Sequence, residues 1–192
     1  MTMFPDPTSH LLLTPEDLDA PRRVERLKEL RIEEEPLPEF DAFARRLAHT
    51  TGAPFAMVNF IDERRQYFAG LHTPAMDRPV TLEPVEDSVP GRIMARDHGY
   101  CPHVVVRRKA LVLEDVCDYP RFAGNPVVDE IGIRSYMGAP LMDGSGIALG
   151  TICVVAQEPR PWGREGLGVI KSMAEEMAEL LRRRGAHPGI GI

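Results

Sequence analysis

Two stripes of apolar residues predict amphipathic helices that lie on either side of a group of strands. The first stripe has the three-and-four spacing of one helix face, at Phe40, Phe43, Ala44, Leu47 and Ala48. The second predicts a closing helix of about twenty residues, and its apolar positions are Leu167, Ile170, Met173, Ala174, Met177, Leu180 and Leu181. A further helix is predicted over residues 22–32.

Between these helices, short apolar stretches predict five strands at residues 54–61, 66–71, 110–116, 135–142 and 147–155. The first is apolar on both faces, which is typical of a central, buried strand. Short polar or glycine-rich turns separate the first two strands and the last two, so each of these pairs is predicted to form an antiparallel hairpin.

The segment between the second and third strands is harder to interpret. Residues 72–87 are irregular and rich in proline, and such a long connection is usually functional or mobile. Ser88 is a suitable N-cap, and a short helix is therefore predicted over residues 88–96.

The order of these elements predicts an α+β fold. The chain has no β-α-β-α-β alternation and no glycine-rich nucleotide motif, so a parallel sheet is disfavoured. We expect an antiparallel sheet of five or six strands with helices packed on one face. We expect a flexible N-terminal arm at residues 1–19, one domain at 20–184 and a disordered tail at 185–192.

Charge and composition exclude several classes of function. The 192 residues carry a formal net charge of −6, which disfavours a nucleic-acid-binding surface. No apolar run approaches the roughly 20 residues needed to span a bilayer, and residues 1–13 do not resemble a signal peptide. The three cysteines are too few for a disulfide framework. We therefore expect a cytoplasmic protein with reduced thiols.

Several stretches together are similar to one known family. They read GYCPHVVV at residues 99–106, DYPRF at 118–122, NP at 125–126 and YMGAPL at 136–141. In combination they resemble the GAF domain family, and the resemblance extends over residues 40–184. It implies a central antiparallel sheet, helices on one face that often form a dimer interface, and a ligand cavity on the other face. Members of the family bind cyclic nucleotides, haem, linear tetrapyrroles or other small molecules.

The resemblance also implies a sensing or signalling role without catalysis. Many GAF domains adjoin kinase, phosphodiesterase or cyclase modules. Because this chain ends after one domain, its output is expected to come from a separate signalling protein or from rearrangement of a homodimer formed by the terminal helices. The ligand, and any cofactor, remain unidentified from the sequence.

The sequence HGYCPH at residues 98–103 concentrates polar chemistry in six residues. Its spacing matches no standard zinc pattern, so no metal site is predicted. Attachment of a bilin to Cys101 is disfavoured because Pro102 separates the cysteine from His103. Haem ligation by His98 or His103 stays open. The Asn-Lys-Phe-Asp-Glu stretch of GAF domains that bind cyclic nucleotides is absent.

The predicted ligand-binding residues combine the strand that contains Asn59 with the stretches that resemble the family. Asn59 is the strongly polar residue of an apolar strand, and it either faces the cavity or bonds a neighbouring loop. No catalytic residue is predicted. The full set is Met57, Asn59, Phe68, Tyr100, Cys101, His103, Asp115, Phe122, Tyr136 and Cys153.

Two alternatives to a sensor remain open. One branch of the GAF family reduces free methionine-R-sulfoxide, which requires an attacking thiolate and a resolving cysteine. Cys101 and Cys117 are the candidates, whereas Cys153 is most simply a small buried hydrophobic residue. The other alternative is a dimeric protein-interaction module with a vestigial pocket.

Overall fold

The computed structural model describes residues 14–77 and 91–186, and it places six strands in one antiparallel sheet. The strand order is β3-β2-β1-β6-β5-β4. The strands are β1 (Phe55–Ile61), β2 (Arg65–His72), β3 (Ile93–Ala95), β4 (Leu111–Leu113), β5 (Ser135–Met142) and β6 (Ala148–Ala156). The helices are α1 (Ala20–Glu29), α2 (Pro38–Thr51), α3 (Cys101–Arg107), α4 (Pro120–Ala123), α5 (Pro126–Ile131) and α6 (Gly163–Ala186). The predicted α+β fold with an antiparallel sheet is confirmed.

Helices α2 and α6 pack on one face of the sheet and form the larger core. Helix α2 ends at Gly52, whose φ of 69° supplies the left-handed conformation expected at a helix C-terminus. The apolar stripe of α6 is buried, with Met173, Met177 and Leu181 inside the core. The stripe of α6 therefore mainly covers the sheet of its own chain, and Leu180 is the large apolar side chain that the helix leaves exposed.

The short helices α3, α4 and α5 cover the opposite face of the sheet and enclose a second core. Alternation along β1 sends Val58 and Phe60 to the larger core and Met57 and Ile61 to the second. Because β1 and β6 are the two central strands, their side chains on this face are shielded from solvent. This second core contains the candidate site.

The helix predicted over residues 88–96 is wrong where the structure describes it. Ile93–Ala95 forms strand β3, which pairs with β2 through Arg65 and Tyr67. Adjacent apolar residues suit a strand as well as a helix, and pairing with the sheet edge decides between them. Residues 78–90, which hold the rest of that prediction and part of the irregular stretch predicted at 72–87, lie outside the described residues, as do 1–13 and 187–192.

Candidate functional site

A small cavity lies between the sheet and helices α3 and α5, on the face opposite α2 and α6. Its volume is about 50 Å³, and its wall is mostly apolar. Six of the residues predicted to bind a ligand line it: Met57, Phe68, Tyr100, Cys101, Tyr136 and Cys153. The sequence prediction did not include the other lining residues, which are Gln66, Met94, Gly99, Val127, Ile131, Ile133 and Val155.

Two buried thiols meet at this cavity. Cys101 opens α3 and Cys153 lies on β6, and their Sγ atoms are 3.5 Å apart. The hydroxyl of Tyr136 lies 3.3 Å from Sγ of Cys101. Both cysteines are almost fully buried, with exposed fractions of 5% and 0%. No sequence motif pairs these cysteines, which are 52 residues apart in the chain.

The surroundings of the two thiols shift their pKa values in opposite directions. Burial raises the pKa of Cys101, but Cys153, Thr151, Tyr136 and Asn59 present polar hydrogens that favour the thiolate, and the net effect lowers the pKa. The pKa of Cys153 rises well above its ordinary value, because its proton is held by Cys101 and because the side chain is buried. Cys101 is therefore the thiol of the pair that ionises first.

Asn59 connects the cavity wall to the strand edge. Its Nδ2 donates to Oε1 of Gln66 at 2.8 Å, and Nε2 of Gln66 donates to the carbonyls of Ala95 (2.9 Å) and His98 (2.6 Å). Oδ1 of Asn59 has no hydrogen-bond partner among the described residues. Asn59 thus bonds the neighbouring strand β2 and lies beside Cys101, but it is not among the residues that line the cavity.

Thr151 is a polar neighbour of the thiols that the sequence prediction missed. It pairs with Asn59 across β1 and β6, and its Oγ1 has no hydrogen-bond partner within the described part of the chain. The alternation of a strand could have identified it, because Thr151 lies two residues before Cys153 and faces the same side.

Asn125 holds the segment that leads into Cys101. Its Oδ1 accepts from the backbone amide of Gly99 at 2.9 Å and its Nδ2 donates to the carbonyl of Gly99 at 2.9 Å. Oδ1 also accepts from the amide of Val127 at 3.2 Å, which caps α5. The φ of Gly99 is 77°, a conformation that favours glycine. The Asn-Pro motif thus fixes the turn from which α3 and Cys101 begin.

His103 and Phe122 lie behind the cavity wall. The ring of His103 is 5.1 Å from that of Phe122, which is 5.5 Å from that of Tyr100. The ring of Tyr100 is in turn 5.3 Å from that of Tyr136. The structure does not bring Asp115 to the cavity: its carboxylate accepts from the Nε of Arg134 at 3.0 Å. Neither His103, Phe122 nor Asp115 is among the lining residues.

The buried position of His103 predicts that the protein loses stability in mild acid. Burial, together with the positive charges of Arg121, Arg107 and Arg96, lowers the pKa of His103 to about 4. An unfolded histidine has a pKa of about 6.5, so the unfolded chain takes up this proton first. The contribution of neutral His103 to the free energy of unfolding is complete above about pH 6.5. It is lost as the pH falls to about 4, and the total loss is about 3 kcal/mol.

Urea unfolding between pH 7.5 and 4.5 measures this effect. In the His103→Gln variant, stability should fall less steeply with decreasing pH than in the parent protein. Identical slopes in both proteins would show that His103 is not held neutral by the fold.

Residues 14–77 and 91–186 contain neither a membrane-spanning helix nor a cluster of metal ligands. No helix there is long and apolar enough to cross a membrane. No group of three or more histidine, cysteine, aspartate or glutamate side chains in that part of the chain could hold a metal ion.

A larger space, of about 530 Å³, lies along α6 and β5, but it is an open groove on the outer surface. Cationic side chains border it, at Arg108, Lys109, Lys171 and Arg182. We place the candidate site at the smaller cavity instead, because the two buried thiols line it and because Asn59 and Thr151, which carry polar atoms unpartnered within the described residues, lie beside Cys101.

Comparison with known proteins identifies the family. Residues 35–181 match the GAF domain, which accounts for most of the chain. The chain belongs to the GAF domain family. In this GAF domain, the stretches that carried the resemblance lie around the cavity, since Gly99, Cys101 and Tyr136 line it and Asn125 holds Gly99.

Three relatives show what the GAF domain is similar to. Cyclic di-GMP phosphodiesterase PA2567 of Pseudomonas aeruginosa is 31% identical over 108 residues, which is 56% of this chain and 16% of that protein. The chain thus matches only about a sixth of that relative's length. The GAF domain of phosphoenolpyruvate-protein phosphotransferase from Acinetobacter superposes with a TM-score of 0.54 at 16% identity, covering 90% of this chain and 96% of that one.

The third relative is an enzyme with the same fold. Free methionine-R-sulfoxide reductase from Neisseria meningitidis, solved in complex with its substrate, superposes with a TM-score of 0.55 at 15% identity. The match covers 90% of this chain and 93% of that chain. At such identities the two solved structures establish a common fold, and function has to be argued from the site.

Proposed function

We propose that this GAF domain is a sensor: its cavity beside Cys101 binds a small molecule, and occupancy is passed to a signalling protein partner. The observation that carries the proposal is the cavity of about 50 Å³, which holds Cys101, Tyr136 and Cys153 on its wall. A concave, mostly apolar cavity with a few convergent polar groups is the usual form of a small-molecule site. The role is regulatory and does not require catalysis.

The volume of the cavity limits the ligand to a few non-hydrogen atoms. A single water needs roughly 10–15 Å³ of such space, whereas sites for drug-sized ligands measure about 300–1,000 Å³. A cyclic nucleotide, haem or linear tetrapyrrole therefore does not fit the cavity of about 50 Å³. His103, one of the two candidate haem ligands, does not line the cavity and is packed against Phe122.

The chemistry of the wall favours a weakly polar ligand. Met57, Phe68 and Val155 provide apolar contact, and none of the described residues that line the cavity has a charged side chain. Tyr136, Cys101 and Gln66 contribute hydrogen-bonding groups to its wall. A ligand that displaced the amide of Gln66 would also disturb its bonds to Ala95 and His98, which offers a route from the cavity to the sheet edge.

The proposed sensor acts as a homodimer through its terminal helices. The open groove along α6 and the half-exposed side chain of Leu180, at 42%, provide apolar surface for a second copy. The relative from Pseudomonas aeruginosa, a cyclic di-GMP phosphodiesterase, is about six times longer than the matched segment. This supports a role for the matched segment in regulating a separate output activity.

Native mass spectrometry of the reduced protein, followed by the same sample denatured, tests the proposal. We expect a dimer that carries extra mass, and the extra mass should disappear on denaturation. Val155→Phe fills the cavity and should abolish the adduct, whereas Val24→Phe, a half-buried control on α1, should retain it. A bare dimer would favour a protein-interaction module with a vestigial pocket, and a monomer would contradict the dimer.

The thiol pair supports one second candidate, a thiol-dependent reductase of free methionine sulfoxide, of which only the sulfoxide end would enter the cavity of about 50 Å³. Cys101 and Cys153 are placed to act as attacking and resolving thiols, at 3.5 Å. Turnover of methionine-R-sulfoxide with dithiothreitol that is lost in Cys101→Ser but kept in Cys117→Ser would establish the reductase. Absence of turnover in the parent protein would remove it.

A further inference from the structure

The two sulfurs of the cavity are already in van der Waals contact. Sγ of Cys101 lies 3.5 Å from Sγ of Cys153, and a disulfide bond measures about 2.05 Å. The remaining gap, roughly 1.5 Å, can be closed by rotation of the cysteine side chains and a small shift of α3. Cys117, the third cysteine, is exposed on a 3₁₀ turn, Val116–Asp118, and does not line the cavity.

We propose that Cys101 and Cys153 are a redox-active dithiol, which a small hydroperoxide oxidises to an intramolecular disulfide and which small thiols reduce again. This inference concerns the cavity of the proposed sensor, but it does not depend on a resident ligand.

The cavity gives a small oxidant access to both sulfurs. It touches both cysteines and extends to Ile131, whose side chain is 47% exposed, so the space reaches the surface of the protein. A volume of about 50 Å³ accommodates hydrogen peroxide but not a bulky oxidant. The buried position of the thiols therefore selects by size.

The neighbours of Cys101 suit a thiolate nucleophile. The hydroxyl of Tyr136 is 3.3 Å from its Sγ, and Thr151 has a buried hydroxyl without a hydrogen-bond partner among the described residues. When the thiol loses its proton, these hydroxyls can donate to the sulfur. Cys153 keeps its proton longer and is thus the resolving thiol.

The proposed reaction has two steps. The Cys101 thiolate attacks one peroxide oxygen, and an S–O bond forms as the O–O bond breaks. The second oxygen takes up the proton that the thiol released. It leaves as an alcohol, or as water when the oxidant is hydrogen peroxide. The Cys153 thiol then attacks the sulfenic acid sulfur, the S–S bond forms, and the S–O bond breaks with release of water. Two thiols are oxidised and one hydroperoxide is reduced. Two equivalents of a small thiol reverse the change and are themselves oxidised to a disulfide.

Treatment of the folded full chain with a slight excess of hydrogen peroxide, followed by alkylation of the unfolded chain and mass spectrometry, tests the inference. We expect the chain to lose the mass of two hydrogen atoms and two of its three alkylatable thiols. Peptide mapping should link Cys101 to Cys153, and dithiothreitol should restore both thiols. Cys117→Ser is the matched control and should form the same disulfide.

Variants then separate the two roles. In a Cys117→Ser background, Cys153→Ser should accumulate a sulfenic acid on Cys101 that dimedone traps when the oxidised chain is unfolded in its presence, and Cys101→Ser should leave Cys153 unmodified. If a variant fails to fold, the disulfide mapping of the parent protein still tests the proposal. Retention of all three alkylatable thiols, or a disulfide formed by Cys117 between chains, would overturn the proposal. The native mass spectra that test the proposed sensor are recorded on reduced protein, and the disulfide is tested on oxidised protein. Failure of the sensor proposal and failure of the redox proposal can therefore be distinguished.

Discussion

Gly150→Ala is expected to destabilise the protein by about 3 kcal/mol or more. A Cβ at this position would lie 2.0 Å from the backbone oxygen of Asn59 and 3.0 Å from Cα of Phe60. Both atoms belong to the backbone of β1, so no side-chain rotation relieves the contact. The two central strands would have to separate.

The control substitution is Gly168→Ala, which should increase the free energy of unfolding. Gly168 lies in an exposed part of α6, and a Cβ there meets no atom within 4 Å. Replacing a helical glycine by alanine stabilises by roughly 0.5–1 kcal/mol. Urea unfolding of both variants measures the difference. If Gly150→Ala lost less than about 1 kcal/mol, β1 and β6 would not be held as closely as the structure indicates.

The close approach of β1 and β6 also determines the site. Asn59 pairs with Thr151, and Met57 pairs with Cys153, so the register of these strands places the polar atoms around the thiols. Gly150→Ala should therefore also speed the alkylation of Cys101 in the folded protein, because separated strands expose its sulfur. A variant destabilised elsewhere by the same amount would not show this change under native conditions.

The elements with long, regular patterns could be predicted from the sequence. Helices α2 and α6 and the two hairpins follow from apolar periodicity and from the turns between the strands, which are local properties. Strand β3 could not be predicted, because three residues carry no period and pairing with β2 decides their conformation. The order of the elements predicted one antiparallel sheet with helices on one face, and the resemblance to the GAF family added the cavity on the other face.

The site could be predicted only in part. Tyr100, Cys101 and Tyr136 follow from motifs, but the contact between Cys101 and Cys153 depends on how α3 lies on β6. Sequence reasoning paired Cys101 with Cys117, the nearer cysteine along the chain, and interpreted Cys153 as a core residue. Cys153 is indeed fully buried, and it is also the cysteine that touches Cys101. The volume of the cavity depends on side-chain packing, which no local pattern encodes.

An ion pair near the N-terminus provides the second large prediction. The guanidinium of Arg23 is 1% exposed, and it donates to both carboxylate oxygens of Asp17, from Nη1 at 2.6 Å and from Nη2 at 3.1 Å. Its Nε donates to the carbonyl of Ala148 on β6 at 2.5 Å. Nη2 of Arg96 also lies 3.8 Å from Asp17. Asp17 thus joins the segment before α1 to the sheet and to the residues that follow β3.

Asp17→Ala should cost about 3–5 kcal/mol, because it leaves the Arg23 charge buried without its partner. Replacing both residues, as Asp17→Leu with Arg23→Met, should restore most of the loss, since a buried ion pair has little net advantage over apolar packing. Glu176→Ala breaks the half-exposed pair with Arg46 and should cost no more than about 1 kcal/mol. Urea unfolding at neutral pH compares the three variants. A loss for Asp17→Ala as small as that for Glu176→Ala would mean that water reaches Arg23, and that the segment before α1 is not anchored to β6.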